Sequence, residues 1–146
     1  NYFFMGVLMN DLIESLQQFM FLNRPSKNAG DLSVGERMVM MTLNKHYSQT
    51  QQGLLPSELG LKMGLSRSAV TPLLNSLEAK DYLTRTVNTQ DRRQILIVPN
   101  PEKHNLNQFS QHQFEQLIEV LSLQDEQTLL ILIDKLNQAS QAGQSA

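Results

Sequence analysis

Apolar residues recur at helical spacing near both ends of the chain. Met5, Leu8, Met9, Leu12, Leu16, Phe19 and Met20 form one stripe, predicting a helix to about Leu22. Phe3, Phe4, Val7 and Ile13 widen that stripe beyond what one core face uses, the pattern of a helix that also packs on a second subunit. A polar loop over 23–31 follows. Then Ser33 and Glu36 stand three apart as a capping box, starting a helix to about His46 with a wide face of Val34, Met38, Val39, Met41 and Leu43. A Gln- and Ser-rich loop, 47–53, leads to Leu54-Leu55, read as a one-rung strand. Two short helices, Pro56–Met63 and Ser66–Lys80, come next, and then two β-rich runs, 82–87 and 94–98, around a polar tip at 88–93. The last third predicts a helix from Pro101 to about Leu121 with Leu106, Phe109, Phe114, Leu117, Ile118 and Leu121 on one face. A final helix carries Leu129, Leu130, Ile131, Leu132 and Ile133, apolar around nearly its whole circumference, and its small polar end from Ala139 is read as frayed.

The local signals in the middle are specific. Pro56 suits the first helical position, and Ser57 and Glu58 give a polar, acidic first turn. Gly64 can take the positive φ that ends a helix, and Leu65 supplies the apolar contact after it. Ser66 can cap the next helix, which turns Val70, Leu73, Leu74 and Leu77 inward and leaves Arg67, Ser68, Thr71, Asn75 and Ser76 outside. Pro72 lies mid-helix and should bend it. Helix, turn, helix and hairpin in that order predict a winged helix-turn-helix. The expected fold class is mainly α with a small β wing: the winged module over 33–99, and helical dimerisation regions over 3–22 and 100–140, in one chain unit.

Composition narrows the function. The chain has 146 residues, 40% of them hydrophobic, enough for a real core. With no cysteine, disulfides and thiolate chemistry are excluded, which fits a cytoplasmic protein. No run approaches the length of a membrane helix and no basic leader is seen, so no membrane partner is expected. The three histidines match no metal spacing, and there is no phosphate-binding glycine loop; no cofactor, no metal and no enzymatic activity are expected. Three of the seven methionines cluster at Met38, Met40 and Met41, more commonly core filler than the wall of a ligand pocket. The net charge of −2 is unevenly spread. From Lys62 to Arg93 there are six basic residues (Lys62, Arg67, Lys80, Arg85, Arg92, Arg93) against three acidic ones, a local +3 that leaves −5 elsewhere.

In a helix-turn-helix, the second helix enters the major groove N-terminus first. Arg67 is the best candidate for guanine and Asn75 for adenine, though either can bind phosphate instead. Ser57, Ser66 and Ser68 lie at helix starts, where free N–H groups favour phosphate oxygens; capping alone would also explain them. Around Gly64, Gly60 falls four before as the small residue where the helices cross, and Val70 six after as the branched core residue. With Asp91-Arg92-Arg93 between two β-rich runs, this frame resembles the MarR family of transcriptional regulators, and the resemblance runs through nearly the whole chain.

The resemblance implies a homodimeric, sequence-specific DNA-binding regulator, most often a repressor, with double-stranded DNA as partner. It places helix 66–80 in the major groove and the tip 88–93, with Asn88 and Arg92, over the minor groove. Arg93 would enter that groove, oriented by Asp91; taken alone, the tip could equally be a solvated surface ion pair. The first, fifth and sixth helices would form the dimer, through residues such as Leu8, Leu12, Leu16, Phe109, Leu130, Ile131 and Ile133. A small-molecule effector would bind where those helices meet the winged module. Cysteine-based hydroperoxide sensing, known in members with a Thr-Pro like Thr71-Pro72, is not carried over. The alternative reading is a winged-helix protein-interaction module without specific DNA binding.

Overall fold

The computed structural model describes residues 2–24, 32–103 and 108–144, and the side chains of all of these except 108–112 and 144. Helix α1 (Tyr2–Leu22) belongs to one compact unit, Asn1–Gly30. The second unit, Asp31–Ala146, contains α2 (Val34–Thr50), α3 (Pro56–Met63), α4 (Arg67–Ala79), β1 (Leu83–Val87), β2 (Ile95–Pro99), α5 (Gln108–Ile118) and α6 (Leu123–Gln144). The result is mainly helical with one two-stranded antiparallel sheet.

Helix α1 buries none of its residues, and its stripe is open throughout, Leu8 at 60% exposure. In the second unit, the core is built by α2 (Val39, Met40, Leu43), Leu54, Leu59 of α3, α4 (Val70, Leu74, Leu77), Tyr82, Leu83 of β1 and Ile97 of β2. Burying each such side chain contributes about 1.5–3 kcal/mol before entropy is counted. The wide apolar face expected of α2 is in fact two faces. Val39, Met40 and Leu43 enter the core, while Val34, Met38 and Met41, spaced four and three apart, remain exposed.

Local chemistry sets the boundaries. Ser33 and Glu36 form the capping box: the Ser33 hydroxyl accepts from the Glu36 N–H at 3.2 Å, and the Glu36 carboxylate accepts from the Ser33 N–H at 3.4 Å. Helix α2 runs to Thr50, four residues past the expected end, because Gln51, not a glycine, takes the left-handed stop at φ 55°. Gly64 (φ 69°) closes α3 in a Schellman turn, with Leu65 N–H bonded to the Gly60 carbonyl at 2.9 Å and Gly64 N–H to Leu61 at 3.3 Å. At Gly60 any Cβ would sit 3.0 Å from the Leu65 carbonyl, so the α3–α4 crossing depends on its absence. Ser66 caps α4 through the Ala69 N–H, as expected. The helix continues through Pro72, at a cost of about 3 kcal/mol for the lost bond and the ring.

The wing pairs Leu83 with Pro99 and Val87 with Ile95, and Leu54 adds a single rung against Ile97, as the sequence suggests. Asn100 accepts from the Glu102 N–H at 3.1 Å, starting a short 3-10 turn over 101–103. The expected helix 101–121 is seen as α5 from Gln108 to Ile118; Leu106 lies outside the described residues, as do the side chain of Phe109 and His104. Ser122 caps α6 through the Asp125 N–H. Past Ala139, where the sequence predicts a frayed end, α6 is helical to Gln144, and the Gln141 side chain lies against Gly64 of the helix-turn-helix. The LLILI run is open to solvent, Ile131 at 58% and Leu130 at 70%. Among the described residues no helix is long and apolar enough to cross a membrane, and no cluster of His, Asp and Glu could hold a metal ion.

Candidate nucleic-acid interface

At about 100° per residue, the buried stripe of α4 (Val70, Leu74, Leu77) leaves three outward sectors. Opposite the core stand Ser68, Pro72, Asn75 and Ala79, all exposed. On one flank, Arg67 and Thr71 look towards the start of α3 and the wing. On the other, Ser76 and Lys80 look towards α2.

The first flank opens into a groove of about 420 Å³. Ser57 at the N-terminus of α3, Arg67 and Thr71 of α4, Arg85 of β1 and Arg93 of the wing all line it. Three arginines and a helix N-terminus thus line one cleft, an arrangement suited to phosphate oxygens. Thr71 donates its hydroxyl to the Arg67 carbonyl at 2.9 Å, and Ser66 and Ser68 share a hydrogen bond at 3.1 Å, so these hydroxyls serve the helix start as well. Arg85 ties wing to recognition helix, donating to Glu78 at 2.9 Å and to the Asn75 side-chain oxygen at 2.8 Å. The side-chain oxygen of Asn75, a candidate for base contact, is therefore already engaged.

At the tip, Asn88 and Gln94 are joined by backbone and side-chain bonds at 2.9 and 3.0 Å, closing the hairpin. Asp91 grips Arg93 with both oxygens, to Nε at 3.1 Å and to the terminal nitrogen at 3.3 Å, and takes its backbone N–H at 3.2 Å. Those hydrogen bonds from Arg93 hold the Asp91 carboxyl below its usual value. The Arg93 side chain is nevertheless 90% exposed, held by its base and presented outward. Arg92 beside it is exposed too.

The opposite flank corrects one expectation. Ser76 does not face outward: it donates to the Glu36 carboxylate at 3.3 Å, alongside Lys80 at 3.0 Å. Glu36, 6% exposed, thus caps α2 and grips two successive turns of α4. Burial works to raise its pKa, but the bonds from Lys80 and Ser33 outweigh it and the value is lowered. The sequence marks Glu36 only as a capping residue; its partner at Lys80, 44 residues away, leaves no local signal.

Comparison with known proteins agrees with this geometry. Residues 32–95 match the MarR family model. The chain is 35% identical over 92 residues to the HTH-type transcriptional repressor MdtR of Bacillus subtilis, covering 60% of this chain and 56% of that protein. It spans only 27–56% of the length of the curated relatives it matches. The crystal structure of the YusO protein from Bacillus subtilis aligns over 92% of this chain and 97% of that one, at 26% identity and a TM-score of 0.58. A mutant MarR from E. coli, in complex with operator DNA, shares the fold at TM-score 0.65 and 19% identity, over 93% of this chain and 98% of that one. With its capped helix pair, its glycine crossing and its arginine-bearing wing, the stretch 32–95 is a winged helix-turn-helix that matches the MarR family model, and the curated proteins it resembles are HTH-type transcriptional regulators.

Proposed function

We propose that the protein is a homodimeric, sequence-specific DNA-binding repressor, with α4 in the major groove and the wing in the minor groove of a pseudopalindromic operator. The observation that carries this reading is the groove where Arg67, Arg85 and Arg93 meet the N-terminus of α3. In such an orientation Arg67, Ser68, Thr71 and Asn75 reach base edges or phosphates, Ser57 and Ser66 lie at the backbone, and Asn88, Asp91 and Arg92 support Arg93 at the tip. Ser76 drops out of the contact list because Glu36 already holds it.

The dimer is supported by uncovered apolar surface: Leu8, Leu12 and Leu16 on α1, and Leu130, Ile131 and Ile133 on α6. Two copies of the reading head, about 34 Å apart, would meet successive turns of the duplex. Ile131→Asp is expected to yield monomers or unfolded protein in sedimentation velocity; a stable dimer would refute this interface. A small-molecule effector completes the proposal, acting by its preference for one separation of the reading heads. The contact of Gln141 with Gly64 supports it, since the end of α6 rests on the turn of the helix-turn-helix. Double-stranded DNA as partner also implies a cytoplasmic protein.

The deciding experiment is a duplex-binding titration across salt concentrations, on sites selected from random sequence. Release of counterions by several phosphate contacts predicts a steep fall in affinity with salt. A nearly flat slope would instead indicate a winged helix used for protein contacts.

A further inference from the structure

We propose that Pro72 reads sequence: its exposed pyrrolidine ring packs against the C5 methyl of a thymine in the major groove. This inference rests on the DNA-binding reading of the same helix.

Three observations carry it. Pro72 lies inside α4, where it removes the N–H that would bond the Ser68 carbonyl and places a ring against the preceding turn. A helix bears that penalty without return unless the ring packs on something. Within the chain it does not join the core: Pro72 is exposed and stands on the far side of α4 from Val70, Leu74 and Leu77. Finally, it occupies the middle of the outermost ridge, one turn after Ser68 and one before Asn75. An apolar surface there, between two polar side chains, is complementary to the one apolar group that base edges display in the major groove, the thymine methyl.

The test separates this contact from the helix geometry that proline also imposes. Operator duplexes selected with the wild-type protein are resynthesised with deoxyuridine replacing each thymine in turn, which removes only the methyl. One position in each half-site is expected to lose about fourfold in affinity, and about fifteenfold when both half-sites are changed, the scale of one buried methyl per contact. Pro72→Ser, which restores the N–H and deletes the ring, should bind the thymine and deoxyuridine duplexes equally. Pro72→Val, apolar but with its N–H, should keep most of the discrimination. A wild-type protein indifferent to deoxyuridine at every position overturns the proposal, as does a methyl preference that survives Pro72→Ser. If no duplex is selected at all, the DNA-binding reading fails first and this inference falls with it.

Discussion

Arg67→Ala is expected to weaken operator binding by about a hundredfold, with little change in thermal stability. Arg67 is the first residue of α4, exposed, and lines the groove shared with Arg85 and Arg93. A guanidinium at a helix N-terminus sits at the unfavourable end of the dipole, so the fold gains nothing from its charge. Alanine is the better helix former, and surface changes of this kind stay within about 0.5 kcal/mol. The loss should therefore appear in DNA affinity alone. A bidentate contact to guanine is worth about 1–3 kcal/mol, and a dimer makes it twice, giving roughly 2–6 kcal/mol. Measured by fluorescence anisotropy against the selected operator, the variant also distinguishes two roles. Loss of preference at one base position marks base readout. A uniform loss over all sequences, with a salt slope shallower by about one per subunit, marks a phosphate contact. Unchanged affinity would remove Arg67 from the interface.

The largest effect on stability is expected from Glu36→Ala, about 2–3 kcal/mol. Three losses combine: the reciprocal half of the α2 capping box, the acceptor for Ser76, and the carboxylate that neutralises Lys80. Lys80 retains access to water, with 29% of its side chain exposed, which keeps the penalty below that of a fully buried orphan charge. For a chain of this size the melting temperature should fall by about 5–10 °C. Glu36→Gln preserves the shape and a capping side chain, so it should lose less, about 1 kcal/mol. The pH dependence follows from the lowered folded pKa of Glu36. The unfolded state takes up the proton more readily, so this stabilisation is complete above the ordinary carboxylate value and disappears as pH falls through the lower folded one. Thermal melts from neutral to acidic pH should show that loss in the wild type and a diminished one in Glu36→Gln. A variant as stable as the wild type would mean that α4 is positioned by apolar packing alone.

The parts of this molecule that were legible in the sequence are those whose cause is local. Pro56, Gly64 and Ser66 mark α3, its turn and the start of α4 within a residue, because caps act over three or four positions. The hairpin follows from two β-rich runs around a polar tip, and the Leu54 rung from two apolar residues between a polar loop and the Pro56 helix start. The end of α2 is not legible, because Gln51 adopts a left-handed backbone that side chains rarely favour, with no glycine to announce it. The helical extension of α6 past Ala139 has no local signal, because its small polar residues are the same with or without the Gln141 side chain against Gly64. On α4, spacing gives the outward face and its sectors but not what each sector meets. Ser76 stands at the margin of that face, and only the position of Glu36 on another helix decides that it points away from a groove. Likewise, the bond from Arg85 to Asn75 joins elements whose separation no periodicity specifies.

The ion pairs of the reading head have a kinetic consequence. Of the six cations between Lys62 and Arg93, three are held by carboxylates of the same chain: Lys80 by Glu36, Arg85 by Glu78 and Arg93 by Asp91. From a distance a polyanion such as the proposed DNA partner would meet a field weaker than the count of basic residues implies. The Arg85 and Arg93 guanidiniums are at the same time fixed in direction, with less rotational freedom left to surrender on contact. In the proposed complex with DNA, such pairing trades long-range attraction for arginines held in a fixed direction at contact.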